Sequence, residues 1–343
     1  MQPEAVVSDH SSPNILERIP QVWRTQLTAL ALCVLALVGV AWREWGEMVH
    51  QWWNIDTYTH VLLVPVIIAW LVAQKLKELA KITPEAWWPG LLIVAAGLGL
   101  WLIGRASGIN LLAHAGAVGA IQGVVIAVIG PRASLVLALP ITFGVFLVPF
   151  GDEIIPPLQA VTADIAVALT HWSGIPAEVD GIYIDTPVGL FIVAEACSGV
   201  RFLVAMVTLA VLVAFTRFES WSRRGLFLLA AIIIPILANG VRAWGTIYIA
   251  QFRGVEFAAG FDHIFYGWIF FAIIVALLLA AAWRFFERDP QDFGWSAAEI
   301  AAFPILPWLE AWNTSRIVVL AGVAALAIAF GIIATIVAPA ALG

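Results

Sequence analysis

The sequence predicts an all-α polytopic membrane protein of about nine transmembrane helices, with a small amphipathic helix and a hairpin on its outer face. Three observations carry that fold class. Hydrophobic residues make up 62% of the 343 residues and charged residues only 12%, for a mean hydropathy of +0.96. No soluble domain covers so much apolar surface with so few polar groups. The apolar residues also gather into runs of about 20, the length a helix needs to cross ~30 Å of hydrocarbon. Finally, many tryptophans stand at the ends of those runs (Trp42, Trp45, Trp52, Trp53, Trp87, Trp88, Trp268, Trp283), as residues of the membrane interface do.

Taken in order, residues 1–25 are polar and form a short N-terminal segment with no cleavable signal peptide. Spans are expected at 26–46, 88–104, 110–130, 133–150, 198–217, 225–250, 265–283 and 316–338. A shorter run from His60 to Lys75 either spans with snorkelling ends or re-enters. Cys33 lies inside the first run and reads as a small buried hydrophobe. The longest segment between spans is 151–197. Its first part sets Leu158, Val161, Ile165, Leu169 and Trp172 at helical spacing, the pattern of a helix lying in the interface. Its second part, GIPAEVDGIYIDTPVGLFIVAEA, has the Gly, Pro and Asp punctuation and the β-branched residues of a hairpin. Residues 26–286 make the membrane domain, and 287–343 add a cytoplasmic loop and a last helix. No internal repeat is visible, although an inverted-repeat transporter would show one.

Basic residues orient the chain. With the N-terminus inside, inner segments hold 12 of the 17 lysines and arginines, and outer segments hold only Arg43, Arg105 and Arg253. The positive-inside rule therefore puts the N-terminus in the cytoplasm and, after nine spans, the C-terminus outside.

Three ionisable residues, far apart in sequence, come to one depth. A helix from Leu190 to Arg217 is long for one crossing, whereas a start at Ser198 leaves Cys197 at the outer N-terminus of the helix. There, exposed N–H groups and the helix dipole favour a thiolate. Ser198 or Cys197 itself can cap, and Arg201, one turn on, adds positive potential. Arg242 comes 17 residues after Gly225, about 26 Å of helix, which again reaches the outer boundary. Pro235 and Gly240 are expected to kink or loosen that helix, and Asn239 shares the face of Arg242 as a positioning partner. His263 precedes the next run, with Gly267 one turn below it to permit close helix contact. Each residue has a plain alternative: a buried cysteine, a snorkelling arginine, an interfacial histidine. Together they supply a nucleophile, a cation for an oxyanion and a proton-transferring imidazole, the parts of acyl-transfer chemistry.

The motifs EACSG at 195–199, NGVR at 239–242 and HIFYG at 263–267 resemble those of the exosortase and archaeosortase family. The resemblance runs from about Asp56 to Phe286 and includes VPFGDEIIPPLQ and GIPAEVDGIYI. It implies a cysteine-type peptidase or transpeptidase in which Cys197 forms an acyl-thioester, completed by Arg242 and His263. The implied substrates are exported proteins with a PEP-CTERM-like C-terminal signal of short motif, transmembrane helix and basic cluster. They would be cut at the periplasmic face of the inner membrane and passed to an unknown acceptor or to water. Near DTYTH, the family often has a Ser-His-Gly-like element, whereas Thr59 and Val61 flank His60 here. His60 either lines the site or has an interfacial structural role.

Two other classes fit the sequence less well. A transporter or lipid-handling protein should carry ionisable residues at the midplane, and those within these spans sit near an end. A scaffold with a degenerate site is opposed by the intact Cys, Arg and His. The six histidines form no paired-ligand spacing, so no metal and no cofactor is expected. No basic domain supports nucleic-acid binding.

Overall fold

The computed structural model describes residues 20–261 and 267–340, with side chains within 20–258 and 269–336. The first helix is α1 (Gln21–Val40), followed by α2 (Trp42–Asn54). A 3-10 segment (Asp56–Leu63) leads into α3 (Val64–Leu79). Next come α4 (Gly90–Ser107), α5 (Asn110–Val136), α6 (Ala138–Phe143) and α7 (Ile155–Trp172). Strands β1 (Glu178–Asp180), β2 (Tyr183–Thr186) and β3 (Gly189–Ile192) form one antiparallel sheet in that order. The remaining helices are α8 (Val200–Arg217), α9 (Trp221–Arg253), α10 (Val255–Phe261), α11 (Gly267–Trp283), α12 (Ala297–Ala301), α13 (Leu306–Glu310) and α14 (Arg316–Ala340).

Eight helical segments among the described residues are long and apolar enough to cross a bilayer, and Ala138–Leu147 and Ile269–Trp283 are shorter apolar helices. The largest core cluster joins α1, α3, α4, α5 and α14 through Leu37, Leu71, Leu98, Val124 and Val323. Cys33 is 2% exposed within it, as its apolar surroundings predict. Glycines let α4 and α5 approach closely: a Cβ on Gly97 or Gly116 would overlap the facing backbone.

The expected boundary between 130 and 133 is present, but the span at 133–150 is not one helix, because the chain leaves helical geometry at Leu137 and tightens to a 3-10 turn at Gly144–Leu147. Gly130 has φ +79° and ψ 175°, so the chain breaks there and restarts at Pro131. Beyond the break lie a short helical run at 131–136, then α6, then a 3-10 turn at Gly144–Leu147. The break serves packing, since a Cβ on Gly130 would overlap the Glu85 carbonyl oxygen. A side chain there is strained by both conformation and space. Gly130→Ala is therefore expected to lower thermal stability by about 2–4 kcal/mol. The check is the melting temperature of detergent-purified protein; an unchanged value would mean that the loop before α4 does not pack on this turn.

The two ends of the bundle differ in charge. Lys75, Lys77, Lys81, Arg132, Arg217, Arg223, Arg224, Arg284, Arg288 and Arg316 all lie at one end. The C-terminal tail closes this basic end. Arg132 makes a bidentate pair with Glu310 at 2.8 and 2.9 Å. Trp87 donates its indole N–H to the Leu309 carbonyl at 2.8 Å, and the Thr314 amide donates to the Ala86 carbonyl at 2.7 Å. The Glu287 carboxylate accepts the Glu219 and Ser220 amides at the start of α9, which hold its pKa below the usual carboxylate range.

At the other end, α9 is decisive. Its 33 residues give ~50 Å of helix, against ~27 Å for the 18 of α8. The first half of α9 packs on α8 and α11 through Phe227 and Ala231. The second half runs past the start of α8 and packs on α7 and the sheet through Ile247, Ala166, Val167 and Ile184. So α7, long and apolar enough to span, begins beside the first turns of α8, where Leu158 packs with Val200, Leu203 and Val204, and its far part joins a small head with the sheet and the second half of α9. Gly240 serves this contact. The sequence points to a loosening of α9, but the helix runs unbroken through Pro235 and Gly240, and a Cβ on Gly240 would overlap Ile165 of α7.

Candidate active site

Cys197 sits where the head meets the bundle. It closes a 3-10 turn, Glu195–Cys197, in which its amide donates to the Ala194 carbonyl at 2.8 Å. Gly199, at φ +83°, turns the chain into α8. Helix α8 thus begins at Val200, two residues later than helix length alone gives, and Cys197 stands just ahead of it. The N-cap is Gly199, without a side-chain cap, and neither Ser198 nor Cys197 takes that position; Ser198, 2% exposed, accepts the Val200 amide at 3.3 Å from the turn before it.

Asn239 holds this turn. It is 4% exposed on α9, and its side-chain amide donates to the Cys197 carbonyl at 2.8 Å and to the Thr162 hydroxyl of α7 at 3.0 Å. Helical spacing suggests Asn239 as a partner for Arg242, but these two bonds tie it to Cys197 and to α7 instead. Gly199 makes room for it: a Cβ there would lie 2.8 Å from the Asn239 Cγ. Asn239→Ala removes its bonds to the part-buried Cys197 carbonyl and to Thr162, at a cost of about 1–3 kcal/mol. It is expected to lower the reaction rate of Cys197 with a small thiol reagent relative to its melting temperature. Equal reactivity in the variant would show that Asn239 stabilises without positioning.

Arg242 lies one turn along α9 from Asn239 and is 8% exposed; the Thr246 hydroxyl donates to its carbonyl at 3.2 Å. Cys197 and Arg242 line one cavity of about 70 Å³, together with Asn239, Thr246, Phe191 and Ile184. Its lining combines the polar residues Cys197, Arg242, Asn239 and Thr246 with apolar residues of the sheet and of α9. A cavity of this size has room for a small polar group or a few waters. In such a partly dry site a guanidinium acts on developing negative charge more strongly than in water. A much larger cavity of about 740 Å³ lies among α1, α3, α5 and α6, but it is lined by carbon side chains such as Leu27, Ile68 and Val118 and holds no titratable residue.

The other expected residues fall out differently. Arg201 is paired with Asp56 through a guanidinium–carboxylate bond at 3.0 Å, so its charge is directed at the 3-10 segment before α3. His60 lies on that segment, with Nδ1 3.0 Å from the Thr57 carbonyl and Nε2 buried without a hydrogen-bond partner among the described residues. Donation to a carbonyl fixes the proton on Nδ1 of a neutral ring. His60 does not line the Cys197 cavity. His263 lies outside the described residues. Gly267 opens α11, whose Phe270 and Phe271 line a second small cavity with Arg242, Asn239 and Phe202. Among the described residues no three His, Cys, Asp or Glu side chains gather as a metal site requires.

Sequence reasoning missed Thr162, Thr246 and Phe191. Thr162 and Phe191 reach the site by tertiary packing, whereas Thr246, one turn after Arg242 on α9, was signalled by helical spacing, and the Ser-Gly pair after Cys197 signals the turn locally. No curated protein and no solved structure matches the chain. The family described as Transmembrane exosortase (Exosortase_EpsH) matches residues 52–280. That match covers more than half of the chain, runs from α2 into α11 and spans Cys197, Asn239 and Arg242, and by it the chain belongs to the transmembrane exosortase family.

Proposed function

We propose that this protein is a cysteine transpeptidase or peptidase that cleaves PEP-CTERM-like C-terminal sorting signals of exported proteins. The observation that carries this is the shared cavity: half-buried Cys197 and buried Arg242 line one small space at the end of the bundle remote from the basic residues. By the positive-inside rule the basic end is cytoplasmic, and the site opens on the outer face of the inner membrane. A substrate anchored by one C-terminal helix presents the segment just outside that helix at this level.

In this mechanism the Cys197 thiolate adds to a peptide carbonyl carbon, and the charge moves to the oxygen, where Arg242 stabilises it. Collapse breaks the C–N bond. The amine leaves with a proton, and the acyl group remains on sulfur as a thioester. Water or another nucleophile then attacks that thioester and regenerates the thiol. His263 is the better proton donor, because arginine, with a pKa above about 12, gives up its proton poorly. The test is full-length protein in nanodiscs with a synthetic sorting-signal segment. The expected product is an acyl adduct on Cys197, released by hydroxylamine. Substrate turnover with no hydroxylamine-sensitive adduct would overturn the covalent route.

A further inference from the structure

The sheet of the head has two outer edges, and they are built differently. The β1 edge carries Glu178 and Asp180, the charged residues with which natural sheets prevent unwanted pairing. The β3 edge reads Gly189-Leu190-Phe191-Ile192, with no charge and no proline. An unguarded apolar edge beside water or lipid headgroups is a template for another strand.

Pairing parity tells which groups this edge offers. Tyr183 lies opposite Ile192 and Ile184 opposite Phe191, and the Val193 amide donates to the Ile182 carbonyl at 2.9 Å. Inward bonds therefore fall at Val193, Phe191 and Gly189, because hydrogen-bonded and non-bonded pairs alternate in an antiparallel ladder. The N–H and C=O of Leu190 and the N–H of Ile192 point outward. Among the described residues no backbone or side-chain group bonds to these three, and the Ile192 carbonyl is taken by the Ala194 amide at 3.0 Å. The side chains of Leu190 and Ile192 are 58% and 53% exposed.

The edge also leads to the thiol. Cys197 comes five residues after Ile192, and Phe191, on the inner face of β3, lines the cavity that holds Cys197 and Arg242. We infer that the outer edge of β3 binds an extended segment of the substrate polypeptide as a fourth strand and so delivers a peptide bond toward Cys197. The occupant is a polypeptide backbone, since three aligned backbone groups reward an extended chain of any sequence, and pockets beside them select side chains. The inference rests on the proposed acyl transfer at Cys197, but binding to the edge can be read without it.

Two measurements test it in the nanodisc-embedded full chain. First, a benzoylphenylalanine photo-crosslinker is placed at Leu190 or at Val179 of β1, in a Cys197→Ala background that reads binding alone. Crosslinking of the sorting-signal polypeptide from position 190 and not from 179 is expected. Equal capture at both positions, no capture at 190, or capture of a second copy of this chain would overturn the inference. Second, Leu190→Pro removes one outward N–H and leaves the β2–β3 bonds intact. It is expected to raise KM at least about tenfold with kcat retained, whereas an unchanged KM would overturn the inference. Should the proline variant not fold, the crosslinks still decide. If the wild type forms no adduct on Cys197 yet position 190 captures the substrate, the catalytic reading fails and edge binding stands.

Discussion

Cys197→Ala is expected to abolish processing of a sorting-signal substrate, by at least about four orders of magnitude, with the protein still folded in the membrane. The size of the loss comes from the role: without the nucleophile no acyl-enzyme forms, and the remaining groups only bind and polarise the peptide bond. The survival of the fold comes from the surroundings. The Cys197 side chain is small and half-buried, while the turn that carries it is held by backbone, by the Asn239–carbonyl bond and by Gly199. None of these needs sulfur. Truncation to alanine removes one atom of packing, worth about 1 kcal/mol or less. The measurement pairs an anti-tag blot of a substrate in cells with the melting temperature of the purified variant. Full-length substrate must accumulate while the melting temperature moves by only a few degrees. Normal processing by Cys197→Ala would falsify the cysteine mechanism. Cys197→Ser is expected to be nearly as inactive, because no general base strong enough to ionise a serine hydroxyl lies among the described cavity residues.

Much of this site was legible because membrane thickness acts as a ruler. Counting about 20 residues per crossing put Cys197 at a helix start and Arg242 at the same level, and both line one cavity. The ruler gives depth and not direction. It could not show that Arg201 turns to Asp56, or that Asn239 bonds the Cys197 carbonyl, since both depend on which neighbour each helix face meets. It gave the boundary at Gly130, where the chain turns against Glu85, but missed the breaks inside the next apolar run: 133–150 has the composition of one span, yet it divides at Leu137 and ends in a 3-10 turn. Helix α7 shows the converse. Its spacing reads as an interface helix and its composition suffices for crossing, and packing gives it both neighbours: the first turns of α8 at Leu158 and the far half of α9 and the sheet at Ala166 and Val167. The turn residues made β pairing readable, but the segment forms three strands where a hairpin was expected, and the uncharged edge of β3 acquires meaning only beside the charged edge of β1.

The second large effect is expected at Arg242. Arg242→Gln should lower kcat/KM by about 10²- to 10³-fold, the usual consequence of removing one stabiliser of an oxyanion. Arg242→Lys should recover part of this, because the charge remains but the planar fork does not. The magnitude alone cannot separate charge stabilisation from proton donation, since losing either slows the step. The leaving group can. When the scissile amide is replaced by a thioester, the departing thiolate needs no proton, while the carbonyl oxygen still gathers charge as the bond to Cys197 forms. If Arg242 stabilises that oxygen, the deficit of Arg242→Gln persists on the thioester, and the deficit of His263→Ala shrinks toward the wild-type rate. If Arg242 is the acid, the two patterns exchange. The buried position favours the first outcome. Arg242 is 8% exposed and lines the Cys197 cavity from a helix tied to Cys197 by Asn239, and a charge held in place there would cost little reorganisation during the proposed reaction.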